Sequence, residues 1–171
     1  MKIVSIEKAR RAGKFKVSFD SGDSVSGENK EILLSKEVIV DFGLRRNDEI
    51  SNEIFLKIQD SQLYHDIYFA AMRLINYRMR TEKELSRRLR EKNFPIRMIE
   101  KVTGKLIDLG LVDDQKFAEI FVASKVAQKP IGKRGLEQKL REKGIPKETA
   151  AMALTSVTDD EQQLEFASGP N

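Results

Sequence analysis

Lys83, Arg87 and Arg90 lie four and three residues apart, so on a helix they share one face, opposite Leu85 and Leu89. Arg134, Gln138 and Arg141 stand at the same three positions 51 residues later, with Lys133 beside them. Arg97, Lys101 and Lys105 form a second ridge at i, i+4 and i+8, turned away from Ile99 and Leu106. Such faces recognise anions, either the phosphates of a nucleic-acid backbone or an acidic protein surface. The work is done by charge and hydrogen-bond donation, with no bond made or broken. Any one of these residues is ordinary solvated surface. Their recurrence at a fixed offset is what singles them out.

Other chemistries find little support. The chain has no Cys, which excludes disulfides, thiolate metal ligands and cysteine nucleophiles, and its one histidine, His65, cannot form a ligand cluster. Asp113 and Asp114 could suggest a metal or acid pair, but they follow Gly110-Leu111-Val112 where a helix should open, and capping is the better account. Tyr64, Tyr68 and Phe69 offer stacking surface for bases, while their helical spacing favours the core. Gly22, Gly27 and Gly43 make no phosphate-cradling loop. The expectation is a protein without catalytic residues, metal or cofactor. No apolar run approaches the roughly 18 residues of a membrane span. Met1 runs directly into Lys2 without a signal peptide, so a cytoplasmic protein is expected.

The elements that must carry these residues divide into a small strand-containing head and a helical body. Phe15, Val17 and Phe19 alternate with polar residues as in a half-buried strand. Ile3–Ile6 and Ile32–Leu34 are further strand candidates, and Ser24–Gly27 is a possible return strand. Ser35 is placed to cap a short helix ending at Gly43. From Ser51 the period becomes helical. A connecting helix is expected over 51–61, then an amphipathic helix over Gln62–Tyr77. Thr81-Glu82-Lys83-Glu84 is a capping box, Asn93 a stop, Pro95 a helix start, and Gly110 a second stop.

Leu89-Arg90-Glu91-Lys92 recurs as Leu140-Arg141-Glu142-Lys143, and at the same offset Leu85 meets Leu136, Phe94 meets Ile145 and Pro95 meets Pro146. Duplicated three-helix units stack so that neighbours bury what one alone cannot. The expected organisation is a head over 1–50, the connecting helix, a first repeat over 62–112 and a second over 113–157. Residues 158–171 read as the start of an incomplete third repeat or as a disordered or appended tail. The fold class expected is therefore mainly α, with tandem three-helix repeats in an elongated array preceded by a small β-containing region.

Charge follows this division. Residues 1–60 carry 11 basic and 11 acidic side chains, whereas residues 61–157 carry 20 basic against 12 acidic. The modest net charge of +4 therefore conceals a basic body.

Tyr77-Arg78-x-Arg80-Thr81-x-x-Glu84-Leu85, Gly110-Leu111-Val112-Asp113-Asp114-x-x-Phe117-Ala118 and Gly132-x-x-x-Leu136-x-x-x-Leu140-x-x-Lys143-Gly144-Ile145 together resemble the RecX family of regulatory proteins. The resemblance covers roughly 63–157. It implies tandem three-helix repeats that bind the RecA recombinase, lodge in the groove of its filament on DNA and usually inhibit it. Implied partners are thus a RecA-type filament with single- and double-stranded DNA, met by a monomer, in DNA repair and the SOS response. Relative to that family most of a third repeat is missing.

Residues alone support a basic three-helix-repeat binding protein. They leave open a DNA-binding module that acts without a recombinase. A pure protein scaffold is disfavoured by the basic surplus of the repeats.

Overall fold

A computed structural model of the chain describes residues 1–10, 13–20, 29–128 and 131–155. The possible strand Ser24–Gly27, Gly22, Pro130 and the segment 158–171 lie outside the described residues. The chain forms two compact units, Met1–Asp66 and Ile67–Asn171.

In the first unit three antiparallel strands, β1 (Lys2–Lys8), β2 (Lys14–Asp20) and β3 (Lys30–Ser35), form a sheet with β2 in the centre. Val17 and Phe19 alternate onto the buried face, where they meet Ile3 and Leu34. Helix α1 (Lys36–Asp41) follows directly and adds Val38 to this core. Ser35 occupies the cap position but makes no cap hydrogen bond. Its amide and hydroxyl both donate to Gln62 Oε1, at 2.6 and 3.1 Å.

Helix α2 is continuous over Asn52–Tyr77, so the expected break between a connecting helix and a helix from Gln62 does not occur. No glycine or proline lies between those ends to interrupt the ladder. Its first turns close the sheet's core, with Phe55 edge-on to Phe19 at 5.1 Å and Ile58 fully buried. Gln62 reaches Asp66 at 3.0 Å and Lys14 pairs with Asp66 at 2.6 Å, which ties α2 to β2 by a polar chain.

The second unit is helical. The end of α2 buries Ile67, Ala70 and Ala71. Then come α3 (Glu82–Arg90), α4 (Ile96–Asp108), α5 (Asp114–Gln128), α6 (Lys133–Glu142) and a helix over 147–155, here α7, that reaches the last described residue. The chain is thus mainly helical, with two three-helix units in tandem behind a small sheet.

The duplication is visible in the backbone. Thr81 precedes α3 with φ −73° and ψ 157°, and Gly132 precedes α6 with φ −71° and ψ 158°. Asn93 and Gly144, which match at the same offset, both turn left-handed at φ 63° and 83°. Leu85, Leu89, Leu136 and Leu140 are buried in equivalent places, as are Ile99 and Ala150, and Val102 and Ala153. In the second repeat these residues join Ala118, Val122, Ile145 and Leu154 in one apolar cluster. On α5 the buried positions are Ala118 and Val122, while Phe117 and Phe121 stack on the half-buried flank at 6.1 Å.

Candidate interaction surface

Helices α3, α4 and α6 bury Leu85, Leu89, Ile99, Val102, Leu106, Leu136 and Leu140, and this leaves the ten singled-out positions outside. Lys83, Arg87 and Arg90 on α3, Arg97, Lys101 and Lys105 on α4, and Lys133, Arg134, Gln138 and Arg141 on α6 are all exposed. On α3 they oppose Leu85 and Leu89, which are fully buried. On α4 they oppose Ile99, Val102 and Leu106, and on α6 Leu136 and Leu140. Arg88, Lys139 and Lys143 are exposed beside them and were not singled out by the sequence. The offset that aligns Arg88 with Lys139 is the signal that would have added them.

The two repeats hold these cations differently. In the first, Glu91 accepts from Arg87 at 3.1 Å and from Arg88 at 3.2 Å, so both charges are partly satisfied locally. In the second, Gln138 replaces Arg87 and makes a neutral-to-charged bond to Glu142 at 3.3 Å. Among the described residues no ion pair engages Arg134, Lys139, Arg141 or Lys143. The first turn of α3 is acidic and Thr81 caps it by accepting from the Glu84 amide at 3.1 Å. The first turn of α6 has no acid, begins Lys133-Arg134, and its Gly132 cap offers no side chain.

The capping box is half realised. Thr81 bonds as expected, but Glu84 turns away to accept from both Arg78 and Arg80. Arg80 is only 8% exposed and its Nε donates to the Leu74 carbonyl at 3.0 Å, which locks the end of α2 to the start of α3. Burial alone would raise the Glu84 pKa, yet the two guanidiniums outweigh it and hold the carboxyl below its ordinary value. Arg78 and Arg80 are therefore a structural clamp, distinct from the outward bases. The sequence shows them as two more arginines of a basic segment.

Asp113 and Asp114 cap, as their position suggests, but two different helices. Asp113 Oδ1 accepts from the Lys116 amide at 2.9 Å within α5. Asp114 Oδ1 accepts at 2.9 Å from the Glu82 amide at the start of α3. Burial raises the Asp114 pKa, the Glu82 amide opposes this, and the neighbouring Asp113 charge adds to it. His65 is half-buried with Nε2 3.9 Å from Asp41 Oδ2. Tyr64 and Tyr68 are half-buried, but Phe69 is 47% exposed, so the core expectation fails for that ring. It stands edge-on to Tyr68 at 6.3 Å, where the stripe of Ile67, Ala70 and Ala71 turns the other way. No group of three or more potential metal ligands occurs among the described residues. No described helix is long and apolar enough to cross a membrane.

The fold defines a class, the tandem three-helix-repeat proteins, here with a small antiparallel sheet ahead of the repeats. Residues 68–106 match the family model for the first three-helix domain of RecX, and residues 113–154 match that for its second. Regulatory protein RecX of Oceanobacillus iheyensis is 29% identical over 85% of this chain and 53% of its own length. That of Finegoldia magna is 28% identical over 98% of this chain and 78% of its own. A crystal structure of a regulatory protein RecX superposes with a TM-score of 0.74 at 23% identity, covering 99% of this chain and 86% of that one. RecX from Lactobacillus salivarius gives 0.56 at 31% identity, over 58% of this chain and 65% of that one. The chain belongs to the RecX family of regulatory proteins. It spans 51–62% of the length of the regulatory proteins RecX of Oceanobacillus iheyensis, Levilactobacillus brevis, Lacticaseibacillus paracasei and Bacillus velezensis.

Proposed function

We propose that this protein binds a RecA-type recombinase filament together with the DNA inside it, and that it lowers recombinase activity by occupancy, without catalysis. The reading assigns it to DNA repair and the SOS response in the cytoplasm. The observation that carries it is the pairing of RecX three-helix domains with outward cations at matching places in both repeats. Lys83, Arg87, Arg90, Arg97, Lys101, Lys105, Lys133, Arg134, Gln138 and Arg141 are the contact residues, facing phosphates and recombinase carboxylates. An occupant of the filament groove needs no nucleophile. It needs reach and many weak charged contacts, and a tandem repeat supplies both.

The test compares binding to bare single-stranded DNA with binding to recombinase-coated DNA at one salt concentration. Tighter binding to the coated form is expected. Equal or weaker binding to it would replace this reading with that of a DNA-binding module acting alone. Charge reversal at Arg87, Arg90, Arg134 and Arg141 should weaken filament binding and inhibition while the helical signal is kept. Undiminished inhibition by that variant would remove the cations from the mechanism.

A further inference from the structure

Three consecutive residues at the start of α3 are each held by the second repeat. Thr81 Oγ1 accepts from the Glu84 amide and donates to the carbonyl of Lys143 at 2.8 Å, so one hydroxyl caps α3 and fastens it to the end of α6. The amide of Glu82 donates to Asp114 at 2.9 Å. The stem of Lys83 lies over Gly144, where an added Cβ would stand 2.4 Å from Lys83 Cδ and 2.7 Å from its Cβ.

Gly144 is left-handed at φ 83°, but its counterpart Asn93 makes the same turn at φ 63° with a side chain. Asparagine tolerates left-handed backbone better than other side chains, so glycine is favoured at 144 by its backbone conformation and, independently, by the close approach of Lys83. With its stem against Gly144, Lys83 remains exposed where the start of α3 meets the residues just after α6. Lys143 is exposed at the same joint, and no ion pair engages either lysine among the described residues. Glu82 and Glu84 flank Lys83 and Glu142 precedes Lys143, but Glu84 is held by Arg78 and Arg80 and Glu142 is bonded to Gln138. Like charges brought to a common joint repel, and an anion lying across both removes that repulsion.

We propose that the joint makes one track for a single phosphodiester strand. The track runs from Arg134 and Arg141 on α6, across Lys143 and Lys83, to Arg87 and Arg90 on α3. Thr81 and Gly144 are its positioning residues, since they touch no phosphate and set where one repeat's cations meet the other's. This rests on the reading above that the protein touches DNA directly. A track differs from two separate patches in its dependence on strand length. A strand long enough to cross the joint engages the second repeat at the effective concentration set by the first. A short strand engages one helix only.

The experiment titrates the full chain at low salt with oligothymidylates of roughly five and roughly twenty nucleotides, read by fluorescence anisotropy. Wild-type protein, Thr81→Val, Thr81→Ser and Gly144→Ala are compared, with circular dichroism reporting helix content. Thr81→Val and Gly144→Ala should bind the short strand within about twofold of wild type and lose at least about tenfold on the long one. Thr81→Ser keeps the hydroxyl and should retain wild-type binding of both. An unchanged ratio of long to short affinity in both disrupted variants overturns the track. Hydrogen exchange on the wild-type chain serves as a second measurement that needs no variant to fold. The long strand should slow amides in both α3 and α6, and slowing in only one of them overturns the track. Wild-type protein that binds neither strand overturns the underlying reading, and the track with it.

Discussion

Thr103 sits on α4 at 2% exposure, and its hydroxyl finds no hydrogen-bond partner among the described residues. The matching position of the second repeat is Leu154, which is buried in the apolar cluster there. The first repeat therefore places a hydroxyl where its copy places a hydrocarbon. An unsatisfied buried polar group carries a desolvation cost of about 1–3 kcal/mol, and an isosteric apolar side chain relieves it. Threonine and valine differ little in helix propensity, so backbone preference does not offset the gain. Thr103→Val is expected to stabilise the protein by about 1 kcal/mol, raising the melting temperature by about 3 °C. Thermal unfolding followed by circular dichroism checks this. An unchanged or lower melting temperature would mean that the hydroxyl is satisfied in solution.

Helix α3 gains its place from both ends of the polypeptide around it. Glu84 answers Arg78 and Arg80 from the end of α2, while Thr81 and Glu82 are tied to the second repeat. The Glu84 carboxyl is held below its ordinary pKa by these guanidiniums, against the opposing effect of burial. A carboxyl depressed in the folded state contributes stability above its unfolded pKa, about 4.3, and that contribution is lost as pH falls through the folded value. Glu84→Gln should accordingly lower stability at pH 7, with the gap to wild type closing as pH falls below about 4. Chemical denaturation at a series of pH values measures the gap, and a constant gap would assign the loss to packing instead. Much of this element was legible in the sequence. Leu85 and Leu89 marked its inward face, Thr81 its start, and the repeat offset its equivalent in the second repeat, α6. The clamp was not, because Glu84 at the fourth place of a capping box and Arg80 in a basic run each had a simpler local reading. Helix α2 was misdivided for a related reason: composition changes along it while no glycine or proline breaks it. The joint at Gly144 was beyond reach, since contacts between residues about sixty apart depend on how repeats stack. The outward placement of the bases was readable because it follows from helical period alone.

Across the whole molecule, charge is distributed by element, and under the proposed binding to DNA the salt dependence should be too. Residues 1–60 are balanced, with 11 bases and 11 acids, and would add no net charge to that binding. Binding to single-stranded DNA weakens with salt at a slope of about 0.7 per phosphate neutralised. Arg134 and Arg141 are exposed and engaged by no ion pair among the described residues, so each is available to a phosphate at full charge. Arg87 is already shared with Glu91 at 3.1 Å, and moving it to a phosphate releases a carboxylate beside the strand. Neutralising Arg134 and Arg141 to Gln should therefore reduce the slope by about 1.4, whereas neutralising Arg87 and Arg90 should reduce it by about half to two thirds as much. Affinity for a long single strand measured across a salt series gives both slopes. Equal reductions would show that the Glu91 pairs dissolve on binding, and no reduction from the α6 pair would remove that helix from the phosphate contact. The expected inequality has a structural origin. Duplication gave both repeats the same backbone turns and the same inward leucines, and the difference in how they hold their cations lies in single exchanges such as Arg87 for Gln138.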